Sequence, residues 1–112
     1  GILWPIRFDQ TQPLLLPELI HACKMDCLLV ADAGLGTINA VGLTAAYLKE
    51  QGIALRGIVF NRFEPGNLMH KDNKTMCELL TGVPVVACVR QGDTDLDLDA
   101  ETLEALYKEA DV

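Results

Sequence analysis

Residues 27–48, CLLVADAGLGTINAVGLTAAYL, carry the pattern that decides the fold. Residues 27–31 are continuously apolar, which is typical of a strand covered on both faces. The segment ADAGLGTINA, residues 31–40, then brings two glycines, a threonine and an asparagine, but no lysine. From Ile38 to Leu48 the apolar residues recur at helical spacing. The stretch therefore predicts a strand, a glycine-rich loop and a helix.

The rest of the chain repeats this alternation. Apolar runs predict further strands at residues 2–6, 53–60 and 83–89. Helical spacing predicts helices at 14–23, 67–80 and 100–110, and the helix of the quoted stretch ends before Gly52. Alternating strands and helices predict one α/β domain over residues 1–112, with a parallel sheet flanked by helices on both faces.

Composition excludes several classes of function. The formal net charge of −7 over 112 residues argues against binding nucleic acid or an anionic membrane surface. No apolar run approaches the ~20 residues that span a bilayer, and no signal-peptide pattern opens the chain. The four cysteines, at positions 23, 27, 77 and 88, form no CxxC pair. We expect reduced structural thiols in a cytoplasmic protein, and no metal site.

Three polar loops follow predicted strands, at residues 32–39, 61–67 and 90–99. The carboxyl ends of parallel strands are where such sheets bind ligands. In the first loop, Gly34 and Gly36 allow a sharp turn, and Thr37 is the predicted N-cap of the next helix. Backbone N–H groups at that helix end would bind an anion without a Walker A lysine. A tight turn that binds no ligand explains the same residues.

Asn61 ends the third predicted strand, and its amide offers a donor and an acceptor that match the edge of a base such as adenine. A turn-forming asparagine is the alternative. We expect Asn73 and His70 on the solvated side of the third predicted helix.

The acidic run at positions 93, 95, 97 and 99 lacks the glycine and glutamate of an EF-hand loop. Asp99 is better explained as the cap of the final helix, with Glu101 in its first turn. No catalytic triad and no HExxH motif are present.

Three motifs together resemble a known family. LGTIN at 35–39 follows a strand, GIALRGIVFN at 52–61 forms a strand that ends in asparagine, and TGVPVVA occupies 81–87. In this combination the chain resembles the C-terminal half of dethiobiotin synthetases over nearly its whole length. The resemblance implies a partial P-loop NTPase-like, Rossmann-like three-layer fold. It also implies an ATP- and Mg²⁺-dependent ligase that closes the ureido ring of dethiobiotin from 7,8-diaminopelargonic acid and CO₂.

The resemblance assigns roles by position. It implies that the substrate's carboxylate tail or amine end lies at Leu35, Gly36, Thr37, Ile38 and Asn39, with Asn73 reaching the tail in a neighbouring subunit. It implies nucleotide binding by Asn61 and Arg62 at adenine, by the backbone of Arg90, Gln91 and Gly92, and by an acidic residue, Asp93 or Asp95.

The resemblance also implies which parts of the enzyme lie elsewhere. Catalytic lysines and Mg²⁺ ligands belong to the family's earlier half, so we expect no catalytic residue and no metal ligand here, and no turnover by this chain alone. Gly1 matches the last glycine of a family stretch E-G-[AS]-G-G. Family members are homodimers. Two alternatives stay open: a non-catalytic nucleotide- or partner-binding module, and a related P-loop amide ligase.

Overall fold

The computed structural model of the protein describes residues 1–7 and 11–107. Within these residues the chain forms five strands and four helices. In chain order they are β1 (Pro5–Arg7), β2 (Leu14–Leu15), α1 (Leu16–Ala22), β3 (Cys27–Asp32), α2 (Thr37–Glu50), β4 (Leu55–Asn61), α3 (Leu68–Thr81), β5 (Val85–Cys88) and α4 (Ala100–Tyr107). The predicted alternation from residue 27 onwards is confirmed. The predicted end of the last helix, residues 108–110, lies outside the described residues.

Strands β3, β4 and β5 form a parallel sheet in that order. At its carboxyl end Asp32 lies opposite Asn61, and on the other side of β4 Phe60 lies opposite Cys88. Right-handed crossovers between neighbouring strands put their helices on one face of a sheet. In agreement, α2 and α3 pack against each other. The predicted α/β class with a parallel sheet is therefore confirmed.

The main hydrophobic core lies between this sheet and the helices α2 and α3. Ile58 and Phe60 of β4 are fully buried, together with Val41 of α2 and Cys77 of α3. Burying an apolar side chain of this size contributes about 1.5–3 kcal/mol. This cluster therefore holds the strands in register and, with them, the loops at their carboxyl ends.

Helix α4 packs on the opposite face, where β4 has a glycine. A β-carbon at position 57 would lie 3.1 Å from Leu106 Cδ2, 3.1 Å from Val86 Cγ1 and 3.2 Å from Leu28 Cδ1. Neighbouring residues of a strand point to opposite faces, so Gly57 faces α4 while Ile58 faces the main core. The prediction of helices on both faces is confirmed.

The prediction that β3 is covered on both faces is wrong for the described residues. Leu28 is 48% exposed and Val30 is 62% exposed, and the alternate residues of the strand are partly buried. Leu28 pairs in register with Gly57, where Leu106 of α4 sits. Val30 lies two residues nearer the carboxyl end, on β3, which is one of the two edge strands of the described sheet.

The first predicted strand does not join the parallel sheet. Strand β1 covers only Pro5–Arg7 and pairs antiparallel with β2 in a separate two-stranded sheet. Pro5 has no N–H to donate to a neighbouring strand, and all three residues of β1 are exposed, Ile6 included, so β1 lies outside the main core. Because Leu14–Leu15 are extended in β2, the predicted helix at 14–23 is shortened to α1, Leu16–Ala22.

The helices of the described part of the chain include none with both the length and the apolar character needed to cross a bilayer.

Candidate functional site at the carboxyl edge of the sheet

The three predicted loops leave the same edge of the parallel sheet, which we call the carboxyl edge. The N–H of Ala33, just after β3, donates to the carbonyl of Asn61 at 2.9 Å. The N–H of Phe63, just after β4, donates to the carbonyl of Val89 at 2.8 Å. These bonds extend the strand pairing into the loops and hold them side by side. The carboxyl edge is therefore one continuous surface built from all three loops.

Helix α2 points its N-terminus at this surface. Its N-cap is Gly36, with a φ of 93°, and Thr37 is the first helical residue. The prediction of Thr37 as N-cap is wrong because Gly36 adopts a left-handed backbone that ends the turn one residue earlier. Among the described residues no side chain caps this helix. Its first-turn N–H groups, with the positive end of the helix dipole, form an arrangement that suits an anion.

The residues predicted to bind substrate differ in exposure. Leu35 is 93% exposed and Asn39 is exposed, whereas Ile38 is half-buried and Thr37 is 5% exposed. Thr37 thus anchors the segment while Leu35 and Asn39 face solvent. Beside it lies a groove of about 390 Å³ along β3 and α2, lined by Gly1, Leu29, Val30, Ala31, Asp32, Leu35, Gly36, Thr37, Ala40, Val41 and Thr44.

An ion pair that the sequence analysis missed connects the first two loops. Arg62 donates to Asp32 Oδ2 from Nε at 2.7 Å and also from Nη2. Arg62 has a φ of 56°, a left-handed conformation that is uncommon outside glycine. The pair is half-exposed, so it orients the two loops more than it stabilises the fold. The sequence carries one signal for it, since opposite charges stand at the ends of two neighbouring predicted strands, but only the structure shows that the two side chains pair.

Asp32 also organises its own loop. Its Oδ1 accepts a hydrogen bond from the N–H of Gly34 at 2.8 Å. This bond and the contact with Arg62 lower the pKa of the Asp32 carboxyl below its ordinary value. Asp32 is therefore a carboxylate at neutral pH, and its charge is directed at Arg62.

Asn73 is buried, so the expectation that it lies on the solvated side of its helix is wrong. It is 7% exposed, and its Nδ2 donates to the carbonyl of Ala33 at 2.9 Å and to the carbonyl of Gly34 at 3.1 Å. An asparagine can be buried in this way when its polar groups find partners. The side chain from α3 thus lies behind the β3–α2 loop.

The β4–α3 loop is ordered by its own polar side chains. Asn61 is exposed, and its Oδ1 accepts from the N–H of Arg62 at 3.0 Å. His70, expected to be solvated, is half-buried, and its Nδ1 accepts from the N–H of Glu64 at 3.0 Å. Asn67 caps α3 by accepting from the N–H of His70 at 3.1 Å. The turn-forming interpretation of Asn61 is therefore correct for its oxygen in this structure.

The third loop begins with a tight turn. The N–H of Asp93 donates to the carbonyl of Arg90 at 3.1 Å, and the N–H of Arg90 donates to Asp93 Oδ2 at 2.8 Å. Gln91 and Gly92 form the exposed tip of this turn. Asp93 therefore closes its own turn, and the backbone of residues 90–92 is held at the carboxyl edge.

The acidic run ends in a helix cap, as predicted. Asp99 Oδ1 accepts from the N–H of Thr102 at 2.7 Å at the start of α4, and this bond lowers the pKa of Asp99 below its ordinary value. Within residues 1–7 and 11–107, no three His, Cys, Asp or Glu side chains gather as metal ligands. All four cysteines are free, and burial raises the pKa of the Cys77 thiol, which keeps it protonated.

Comparison with known protein families identifies the class of protein. A family profile described as an AAA domain matches residues 7–97 of the chain. The chain belongs to this family, and its α/β sheet with flanking helices is a P-loop NTPase-like fold.

The particular relatives are dethiobiotin synthetases. The ATP-dependent dethiobiotin synthetase of Brachyspira hyodysenteriae is 42% identical over 108 residues, a match that covers 96% of this chain and 48% of that protein. The enzyme of the same name from Clostridium botulinum is 34% identical over 107 residues, covering 96% of this chain and 46% of the relative. The chain spans about half the length of these curated relatives. The resemblance predicted from the three motifs is confirmed.

Proposed function

We propose that the complete protein is an ATP-dependent dethiobiotin synthetase in biotin biosynthesis, and that this chain supplies its adenine-binding and substrate-tail-binding half. One observation carries the proposal. A chain 42% identical to such an enzyme brings the loops at 33–39, 61–67 and 89–93 together at one sheet edge. Parallel sheets of this class bind their ligands at that edge.

In this proposal the β3–α2 loop binds the carboxylate of 7,8-diaminopelargonic acid. The uncapped first turn of α2 supplies N–H donors, and Asn39 adds an exposed amide one turn in. A carboxylate needs no lysine at such a site, because hydrogen bonds from the backbone to an anion are charge-assisted. The apolar groove beside the loop suits the aliphatic part of the same substrate.

The nucleotide base lies at the other two loops. Asn61 reads the edge of adenine, and the backbone of Arg90, Gln91 and Gly92 lies beside it. The side chain of Arg62 is directed to Asp32, so its contribution is to hold Asn61 and the β3–α2 loop together rather than to bind phosphate. Asp93, which closes its turn, keeps the backbone of that turn in place for the nucleotide.

The phosphates and Mg²⁺ are proposed to bind residues outside this chain. The described carboxylates do not fit a Mg²⁺ site: Asp32 is paired with Arg62, Asp99 caps a helix, and no group of three ligands forms among the described residues. This chain accordingly supplies binding and orientation, and the reacting groups come from elsewhere. We expect a cytoplasmic homodimer, since the family resemblance puts the substrate between two subunits.

The test is an assay of the complete gene product with ATP, Mg²⁺, bicarbonate and 7,8-diaminopelargonic acid. ADP and dethiobiotin should form in equal amounts, and omission of diaminopelargonic acid should abolish ADP release. ADP release that ignores diaminopelargonic acid would indicate another P-loop enzyme. Nucleotide binding without any turnover would favour a non-catalytic binding module.

A further inference from the structure

We propose that Asn73 is a positioning residue that holds the β3–α2 loop in its anion-binding shape. The identity of the anion rests on the function proposed above. The role of Asn73 itself rests on its two hydrogen bonds to the loop, to the carbonyls of Ala33 and Gly34.

The bonds use the full donor capacity of one amide. Asn73 Nδ2 carries two N–H groups, and it has two acceptors, at 2.9 Å and 3.1 Å. The side chain is 7% exposed and belongs to α3, 40 residues further along the chain than Ala33. Asn73 therefore restrains the loop from a separate, packed helix.

With Asn73 in place, the backbone N–H and carbonyl groups of Ala33 and Gly34 all have hydrogen-bond partners. The N–H of Ala33 donates to Asn61 and the N–H of Gly34 donates to Asp32 Oδ1. The two carbonyls accept from Asn73, and the carbonyl of Gly34 also accepts from the N–H of Thr37 at 3.3 Å. The loop leads directly to Gly36, the uncapped N-cap of α2. Removing Asn73 would leave the Ala33 carbonyl without this partner at the point where the loop enters the predicted binding segment.

This geometry implies an indirect effect on the ligand. A buried amide whose N–H groups are both engaged does not reach a ligand in solvent, so Asn73 acts through the loop rather than by touching the substrate tail. Small displacements of a segment that positions a substrate can lower the catalytic rate strongly, by up to about 100-fold for a shift of about 1 Å. The effect should fall on the ligand of this loop and spare the nucleotide base at Asn61.

The experiment uses the complete gene product and the variant Asn73→Leu, which keeps the size of the side chain and removes both donors. The matched control is Thr81→Ala, which removes two hydrogen bonds at the far end of the same helix, to the carbonyl of Cys77 and from the N–H of Val83, without touching the binding loops. Three measurements are compared between the wild-type protein and each variant. They are the steady-state kcat and KM for diaminopelargonic acid, the Kd for ATP, and the rate of amide hydrogen exchange over residues 32–38. Asn73→Ala, which also removes both donors, carries the same test if Asn73→Leu does not fold.

We expect Asn73→Leu to lower kcat/KM for diaminopelargonic acid about 10- to 100-fold with a raised KM, faster exchange at residues 32–38 and little change in the Kd for ATP. Thr81→Ala should lower Tm and leave the KM and that exchange as they are. A lower Tm in Asn73→Leu with unchanged KM and exchange would overturn the proposal, because that is the result of a purely structural role. If the wild-type protein does not bind diaminopelargonic acid, the proposed function fails, and hydrogen exchange alone decides whether Asn73 orders the loop.

Discussion

Replacing Asn61 with alanine should weaken ATP binding by about 5- to 150-fold while leaving the fold nearly as stable as before. Asn61 is exposed at the end of β4, and the described hydrogen bond of its side chain is from the N–H of Arg62 at 3.0 Å. Its backbone carbonyl still accepts from Ala33 in the variant. Losing one exposed hydrogen bond costs about 0.5–1 kcal/mol of folding stability.

The loss of affinity is larger because, in the proposed site, the amide of Asn61 reads the base with two groups. One N–H donor, and the carbonyl oxygen through the lone pair that Arg62 does not use, contribute about 0.5–1.5 kcal/mol each and give about 1–3 kcal/mol. Every 1.4 kcal/mol changes Kd about tenfold, which leads to the range above. Binding of diaminopelargonic acid, at the neighbouring loop, should change little.

Isothermal titration of the complete protein with each ligand in turn measures this difference. Asn39→Ala is the reciprocal variant, and it should weaken the binding of diaminopelargonic acid while sparing ATP. Thermal unfolding of both variants checks that the fold is intact. Equal losses for the two ligands in Asn61→Ala, or an unchanged Kd for ATP, would refute the adenine assignment.

Three further predictions concern the chain itself. The chain of residues 1–112 alone should release no ADP in the presence of ATP and diaminopelargonic acid, because no three His, Cys, Asp or Glu side chains gather as metal ligands in the described residues and the chain has no Walker A lysine; diaminopelargonic acid-dependent ADP release would contradict this. Gly57→Val should destabilise the protein by about 1–3 kcal/mol in urea unfolding, since even a β-carbon there meets Leu106 at 3.1 Å; an unchanged midpoint would show that α4 does not pack as described. Folding lowers the pKa values of Asp32 and Asp99. Their ionised forms therefore add to the free energy of unfolding, fully above the pKa of the unfolded chain, and this contribution is lost as the pH falls through the lower pKa values of the folded protein. Unfolding free energy should therefore fall below about pH 4, and less steeply in Asp99→Asn, which keeps a capping side chain without the titration; identical acid profiles would count against the Asp99 cap.

The sequence alone determined the order of strands and helices, one helix cap and the edge of the sheet at which the loops meet. The strand–loop–helix order from residue 27 to residue 50 follows from an apolar run, two glycines and helical spacing. The cap at Asp99 follows in the same way, because a capping residue acts on N–H groups two or three positions away. The convergence of three loops follows from parallel pairing alone, since the carboxyl ends of all strands then meet at one edge.

Only the tertiary structure decided which side chains act across that edge. Asn73 is 40 residues from Ala33, and Arg62 is 30 residues from Asp32. No local periodicity marks Asn73 as buried, because its burial depends on carbonyl acceptors that a different loop supplies. The exposure of Val30 could not be predicted either. A continuous apolar run indicates that a strand can be buried on both faces, but it does not show which elements pack on each face. These contacts are long-range, and they exist only once the helices have packed on the sheet.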